Sequence, residues 1–284
     1  MEKIAIITDS ACDLTNNIID AFNINVLPFR IIYKDREYRD GVDIDPEYVY
    51  NSLKTEQPTT SLPSMQDMYT LYERLVYEGY THAIAITLSS GLSGVFNALK
   101  LVSHEYKDKI QSCIYDSKSI SLGEGAILQE VGKMVKDGVK FDDIVNELPN
   151  LRSKIKLFFV FETLEYLIRG GRIGKVSGTI GELLNIKPIV SVGDDGKYFT
   201  YAKVRGRKQS LKKIIDIGKE MIDKNCKICI MDGQAKAEAE KIYKSIKEYS
   251  DKLNKGCVEL LGTISPVAGV HSGPGFVGIG AIEL

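Results

Sequence analysis

The chain has 284 residues, 37 Lys plus Arg against 38 Asp plus Glu, and 44% apolar content. That length suggests about two domains, and a net charge of −1 gives no global footprint for nucleic acid. The cysteines, Cys12, Cys113, Cys226, Cys229 and Cys257, are odd in number and scattered. Only the short apolar run Ile4–Ile7 follows Met-Glu-Lys, too little for a signal-peptide core. Reduced thiols in a cytoplasm are therefore expected, and no stretch approaches the roughly 18 apolar residues of an integral membrane segment.

Strand and helix patterns then alternate. Lys3–Thr8 reads as a buried strand ending in Asp9-Ser10. Asn25–Tyr33 is extended, and turns at 34–37 and 39–41 make a small hairpin excursion. Asp45-Pro46 starts a helix, Asp as cap and Pro at the first position. Ser64-Met-Gln-Asp67 is a capping-box-like start for Met68, Leu71, Leu75 and Val76 at helical spacing. Thr81–Leu88 is a strand, Val95–Glu105 a helix and Ile110–Tyr115 a strand. Gly125–Lys136 and Phe141–Leu148 are helices. This βαβα order argues for a mostly parallel sheet with helices on both faces.

Pro149-Asn150 is the expected boundary, giving α/β domains over 1–150 and 151–284. Beyond it, Leu157–Phe161 is a strand, and Leu164–Ile168 and Gly181–Leu184 are helical. Ile189–Val192 and Tyr198–Lys203 form a hairpin around Gly193-Asp-Asp-Gly196. Ser210–Asp223 and Ala235–Tyr249 are amphipathic helices. Ile228–Met231, Val258–Thr263 and the glycine-rich Gly269–Ile282 supply strands, so the second domain is a mixed sheet with helices. Cys226-Lys-Ile-Cys229 has metal or redox spacing, but zinc wants a second close pair and none exists; the pair reads as structural.

Gly273-Pro-Gly-Phe-Val-Gly278 matches a dinucleotide fingerprint, yet the chain continues only to Leu284, leaving no room for the helix and acidic residue that must follow. A phosphate-cradling P-loop is absent, and Ser90-Gly-Leu-Ser-Gly94 is not the G-x-S-x-G elbow. What remains is Leu88-Ser-Ser-Gly-Leu-Ser-Gly94, a run of hydroxyls and N–H groups at a helix N-terminus, which favours an anion. Simple capping would explain it alone. Further hydroxyl clusters weigh against that: Thr8-Asp9-Ser10, Thr59–Ser64 and Asp116-Ser-Lys-Ser119. The first and last follow strands at their carboxyl ends, the edge where open parallel sheets bind ligands. Few nearby cations suit a small monoanion better than a triphosphate.

Taken in order, Ile7-Thr-Asp-Ser10, Asp40-Gly-Val-Asp43, Thr60-Ser-Leu-Pro-Ser64, Leu88–Gly94, Asp116-Ser117, Leu164–Ile173, Lys187-Pro188, Val204-Arg205 and His271-Ser-Gly-Pro-Gly275 resemble the DegV family of bacterial lipid-binding proteins, nearly end to end. Its best understood members carry fatty acids. The resemblance implies a carrier without catalytic residues, metal or cofactor, whose long-chain fatty acid lies in a buried apolar tunnel assigned to the second domain. It implies carboxylate binding by Thr60, with Ser61 beside it, by Ser93 with Ser90 and Gly94, and by His271. Leu62 stands where many members have Gln, so one polar contact near that loop is expected to be missing. The family's fatty-acid branch presents its ligand to a separate fatty acid kinase that makes acyl phosphate from ATP. Transient membrane contact is compatible with such a role.

By itself, a lone His before a glycine turn reads as structural; the family pattern reverses that for His271. His82 and His104 read as structural. The residues Arg169, Arg172, Lys175, Lys187, Arg205, Arg207 and Lys208 make a basic cluster. Arg169-Gly-Gly-Arg172 ends a helix, where Gly caps and Arg complements the dipole. Arg205-Gly-Arg-Lys208 precedes one, where cations are unfavourable. Arg169 and Arg205, with Arg172 beside them, are expected to face the kinase or the acyl phosphate through bidentate contacts. Two alternatives stand behind the carrier. One is a serine hydrolase with Ser93, His271 and Asp9 or Asp116; the other is a sugar-phosphate or dihydroxyacetone-type binding protein.

Overall fold

In the computed structural model, which describes residues 2–179 and 186–284, β1 (Ile4–Asp9) runs into a one-turn 3₁₀ helix, Ser10–Cys12, and a short α1 (Asn16–Ala21). Pro28, which has no N–H to donate, separates β2 (Ile24–Leu27) from β3 (Arg30–Ile32). The extended stretch expected over 25–33 is thus two strands. β3 pairs antiparallel with β4 (Glu37–Arg39). α2 (Pro46–Ser52) starts as expected: Asp45 accepts from the Tyr48 N–H at 2.7 Å, with Pro46 in the first turn. β5 (Thr59–Ser61) completes a three-stranded sheet ordered β4-β3-β5. α3 (Met65–Tyr77) is capped by Ser64, whose hydroxyl accepts from the Asp67 N–H at 3.0 Å, and buries Met68, Leu71 and Leu75.

β6 (His82–Thr87), α4 (Val95–Glu105), β7 (Gln111–Asp116) and α5 (Leu122–Lys136) follow. The sheet order is β2-β1-β6-β7, all parallel, so Asp9, Thr87 and Asp116 end their strands on one edge. α6 (Phe141–Ser153) continues through Pro149. The expected boundary at 149–150 is therefore inside a helix: burial of Ile144 and Leu148 outweighs the bond that Pro removes.

Next come β8 (Ile155–Val160), α7 (Glu165–Arg169), a 3₁₀ turn at Gly174–Thr179, β9 (Ile189–Val192) and β10 (Tyr198–Ala202). The helix expected at 181–184 lies outside the described residues. α8 (Arg207–Asp223), β11 (Cys226–Gly233), α9 (Lys236–Leu253) and β12 (Cys257–Thr263) lead to α10 (Pro266–Ser272) and β13 (Phe276–Glu283). The sheet order is β10-β9-β8-β13-β11-β12; β11 and β12 are parallel and the other pairs antiparallel. Ile214, Ile217 and Met221 of α8 and Ile242 and Ile246 of α9 pack with Ile228, Ile230, Val277 and Ile279 in one apolar cluster. Residues 269–272, expected as strand, finish α10, because Pro266 sets a helical first turn.

The chain divides into two compact units, Met1–Asp43 with Thr60–Ser153 and Ile44–Thr59 with Lys154–Leu284. The segment 44–59, read from sequence as part of the first domain, belongs to the second unit. Its Tyr50 is 2% exposed and fills the space beside Gly233 and Gly269, where a Cβ would meet the phenol ring. Cys226 and Cys229 are buried on β11, and all five cysteines are free thiols. Among the described residues there is no cluster of three or more His, Cys, Asp or Glu placed to hold a metal ion, and no helix is long and apolar enough to cross a membrane.

Candidate functional site

The first unit gathers its hydroxyls at the carboxyl edge of the parallel sheet. The loop 88–94 leaves β6 and is held from both sides. Asp9 accepts from the Leu88 N–H at 2.8 Å, and the Ser119 carbonyl accepts from the Ser89 N–H at 2.9 Å. Asp116 accepts from the Ser90 N–H at 3.0 Å. Within the loop, Ser89 receives the N–H groups of Gly91, Leu92 and Ser93. Most N–H groups that the sequence offered to an anion are thus used by the protein. The Ser93 hydroxyl accepts from the Val95 N–H at 3.3 Å. The next N–H groups of α4, those of Phe96 and Asn97, have no intrahelical acceptor, as in any first turn.

Thr60 and Ser61 reach the same place through their neighbour. Leu62 packs on Gly94, where a Cβ would sit 3.6 Å from Leu62 Cδ1. Gly94 itself is exposed, Ser90, Ser93 and Thr60 are half-buried, and Ser61 is exposed. Leu62 therefore makes an apolar contact between the two loops in place of a polar one.

Beneath this edge lies a buried carboxyl pair that the sequence did not reveal. Thr8 donates to Glu124 Oε1 at 2.9 Å, and Glu124 and Asp9 are both fully buried. Asp9 also accepts from the Ala11 N–H at 3.1 Å. Burial pushes the Asp9 carboxyl up to about 7, against the pull of its two backbone donors. Burial, then the charge of Asp9, holds Glu124 well above the usual carboxylate range. Gly125 lets α5 come this close: a Cβ there would stand 2.7 Å from the Cys12 carbonyl.

In the second unit, His271 is the next-to-last residue of α10. Burial first, and the Arg172 guanidinium second, push its imidazole down to about 4, so it is neutral at pH 7. Gly170 packs directly on the ring, and a Cβ there would collide with Nδ1. Gly273 leaves the helix with φ 66°, a conformation that suits glycine, and a Cβ would collide with the Tyr166 ring. Gly170, Gly273 and Gly275 thus serve close approach, and Gly171 a left-handed φ of 71°.

The arginines separate. Arg172 folds back and donates to the Gly170 carbonyl at 2.5 Å, the helix-end role read from its position. Arg169 pairs with Glu165 one turn earlier and lies over the Tyr166 ring, 5.4 Å from its centroid. Arg205 is exposed, its backbone bridged to Ile186. Arg207 is drawn between Glu238 and Glu162, which offsets its place at the cationic-unfavourable start of α8.

The hydrolase alternative fits poorly. Ser93 lacks the strained positive φ of an elbow. An imidazole at about 4 is a weak base at neutral pH. Asp9 spends its oxygens on backbone donors, and Asp116 spends its own on backbone donors and the Lys118 ammonium. An open cleft of about 490 Å³ also exists, lined by Phe96, Lys100, His104, Lys107, Gln111 and Ile114. It lies at the start of β7, the end opposite Asp116.

These features define a protein of two α/β units, one a parallel four-stranded sheet with a hydroxyl-rich edge, the other a mixed six-stranded sheet with a half-buried neutral histidine. A family model described as "Uncharacterised protein, DegV family" matches residues 3–284. Two DegV domain-containing proteins of Clostridium acetobutylicum are similar, at 56% identity over 100% of both chains and 51% over 98% of both. The chain belongs to the DegV family. Similar solved structures include DegV, a fatty acid binding protein from Bacillus subtilis (TM-score 0.89, 28% identity, 100% of both chains). Another is a fatty acid binding DegV family protein from Streptococcus agalactiae (0.90, 30%, 100% of both). A third is a stearic acid-binding protein from Eubacterium ventriosum (0.85, 27%, 100% of this chain and 98% of that one).

Proposed function

We propose that this protein binds a long-chain fatty acid and presents its carboxylate to a separate fatty acid kinase, which forms the acyl phosphate. The observation that carries this reading is the hydroxyl-rich edge built on Ser90, Ser93 and Gly94, with the Thr60–Ser61 loop packed on it through Leu62. Relatives named for fatty acid binding, at 27–30% identity, support the ligand class. Thr60, Ser61, Ser90, Ser93, Gly94 and His271 hold the head group in this reading, and the tail takes the C-terminal unit. A tail of about 14 methylenes, at ~0.8 kcal/mol each, contributes on the order of 10 kcal/mol. The head group then needs placing more than it needs binding strength. Hydroxyls and a neutral imidazole place a carboxylate while leaving it nucleophilic. The protein does no chemistry of its own in this reading and works in the cytoplasm, where the kinase and ATP are. Arg169 and Arg205 face the kinase or the acyl phosphate.

Native mass spectrometry of the purified chain, followed by denaturing extraction and lipid analysis, tests the ligand. A stoichiometric fatty acid is expected. A protein that emerges empty and refuses added fatty acid would overturn the reading. Acyl-phosphate formation with a purified kinase, with and without this chain, tests the partner.

A further inference from the structure

One cation at the carboxyl end of β7 has no part in the reading so far. Lys118 donates from Nζ to Asp116 Oδ2 at 2.7 Å and to the Ser90 hydroxyl at 3.0 Å. An ammonium has three donors, so one remains among the described residues. Its backbone sits at φ 47°, where a residue with a Cβ is strained. Two bonds hold it there: its N–H donates to Asp116 Oδ1 at 3.1 Å, and its carbonyl accepts from Arg152 at 3.0 Å. Asp116 is the hub, since it also takes the Ser90 N–H. Burial pushes its carboxyl upward, yet the bonds from Lys118 and Ser90 keep it below the usual carboxylate range. Backbone strain held by two side chains beside the hydroxyl loop is characteristic of functional positions.

The chemistry of the head group gives this cluster a purpose. Hydroxyls and a neutral imidazole favour a carboxylate over an alcohol only through the stronger hydrogen bonds that an ionised acceptor takes, because none of them carries charge. A cation one hydrogen bond behind Ser90 changes that. Its charge favours an anion at the loop, while Asp116 neutralises most of it and prevents a tight ion pair. Resting on the reading that a carboxylate is held at this loop, we propose that Lys118, braced by Asp116, is a positioning and selectivity residue that fixes Ser90 and makes the loop prefer a carboxylate to a neutral head group.

The test compares dissociation constants for hexadecanoic acid and hexadecanol, which share a tail and differ in charge, on the full chain. Lys118→Met is expected to weaken the acid about five- to tenfold, the scale of one ordinary net hydrogen bond, and to leave the alcohol unchanged. Lys118→Arg is expected to restore most of the preference. Lys118→Gln is the second variant, should Met disturb folding, and thermal melts report on that. If the acid-to-alcohol ratio stays at the wild-type value, or if both ligands weaken equally, Lys118 merely packs the loop and the inference is wrong. Wild-type protein that binds neither ligand would remove the carrier reading itself, and this inference with it.

Discussion

The two units fix their candidate ligand groups by different physics. In the first, the loop 88–94 is held by hydrogen bonds that its N–H groups donate to carboxylates at the ends of neighbouring strands. In the second, His271 is held by close packing against Gly170. A hydrogen-bonded loop responds to charge and pH; a packed imidazole responds to volume. The largest effect should therefore come from adding volume. Gly273→Ala adds a Cβ at a left-handed φ into the Tyr166 ring. Overpacking and backbone strain together are expected to cost about 3 kcal/mol, measured by urea unfolding. Gly170→Ala collides with the imidazole and should displace His271, so bound fatty acid is expected to fall by more than stability does. Retention of a full complement of lipid in Gly170→Ala would separate His271 from the head group.

The second contrast is pH, where the two regions have opposite signs. Asp9 and Glu124 have folded-state affinities for protons above those of the unfolded chain. Their contribution is present at low pH and is lost as pH rises, for Asp9 from about 4 through about 7. His271 is depressed from 6.5 to about 4, so its contribution is present above 6.5 and is lost as pH falls toward 4. The two windows overlap between about pH 4 and 6.5, where the rising acid limb of His271 and the falling alkaline limb of the carboxyls offset each other, so urea melts should show the carboxyl limb alone only above about pH 6.5. Glu124→Gln mimics the neutral acid and should flatten the alkaline limb, leaving a gain of at least ~1 kcal/mol at pH 8. His271→Asn should flatten only the acid limb. A single limb in wild type, unaltered by either variant, would mean that the two groups do not set the pH profile.

How much of this was legible in sequence follows the range of the interaction. Asp45-Pro46 and Ser64 announced their helices because capping is settled within three residues. The hydroxyl loop after β6 was readable for the same reason: strand, turn and helix are adjacent in the chain. Glu124 was not, because nothing local distinguishes a buried Glu under Thr8 from an exposed one on a helix. Its faint signal is the pair of flanking glycines, Gly123 and Gly125, of which Gly125 allows the approach. The membership of 44–59 in the second unit depends on Tyr50 filling space by glycines about two hundred residues away, which no periodicity records. In sequence, Lys118 reads only as part of the hydroxyl cluster Asp116–Ser119. Its left-handed backbone, normally a glycine or asparagine place, is invisible until the chain is folded.

A smaller effect separates capping from ligand binding at Ser93. Its hydroxyl accepts from the Val95 N–H, so Ser93→Ala should cost about 1 kcal/mol of stability as a lost cap. Ser93→Thr keeps the hydroxyl and should restore the cap. Fatty acid affinity that falls in Ala and returns in Thr assigns the hydroxyl to the head group as well. Affinity that is unchanged in Ala leaves Ser93 as a cap alone.

The smallest stability effect is expected at Arg169, and it is the most informative about a partner. The Arg169–Glu165 pair is an i,i+4 contact on a surface helix, with 34% and 61% of the two side chains exposed. Such pairs are worth about 0.3–0.5 kcal/mol, so Arg169→Ala should barely move an unfolding curve. Arg205 is also exposed, and its replacement by Ala should be comparably silent. Neither touches His271 in the way Arg172 does, so lipid content should stay at the wild-type level in Arg169→Ala/Arg205→Ala. A protein that is equally stable and equally loaded, yet slower in kinase-dependent acyl-phosphate formation, can only have lost something the partner reads. If that rate is also unchanged, these arginines have no role in presenting the carboxylate, and the kinase must approach the first unit's hydroxyl edge without them.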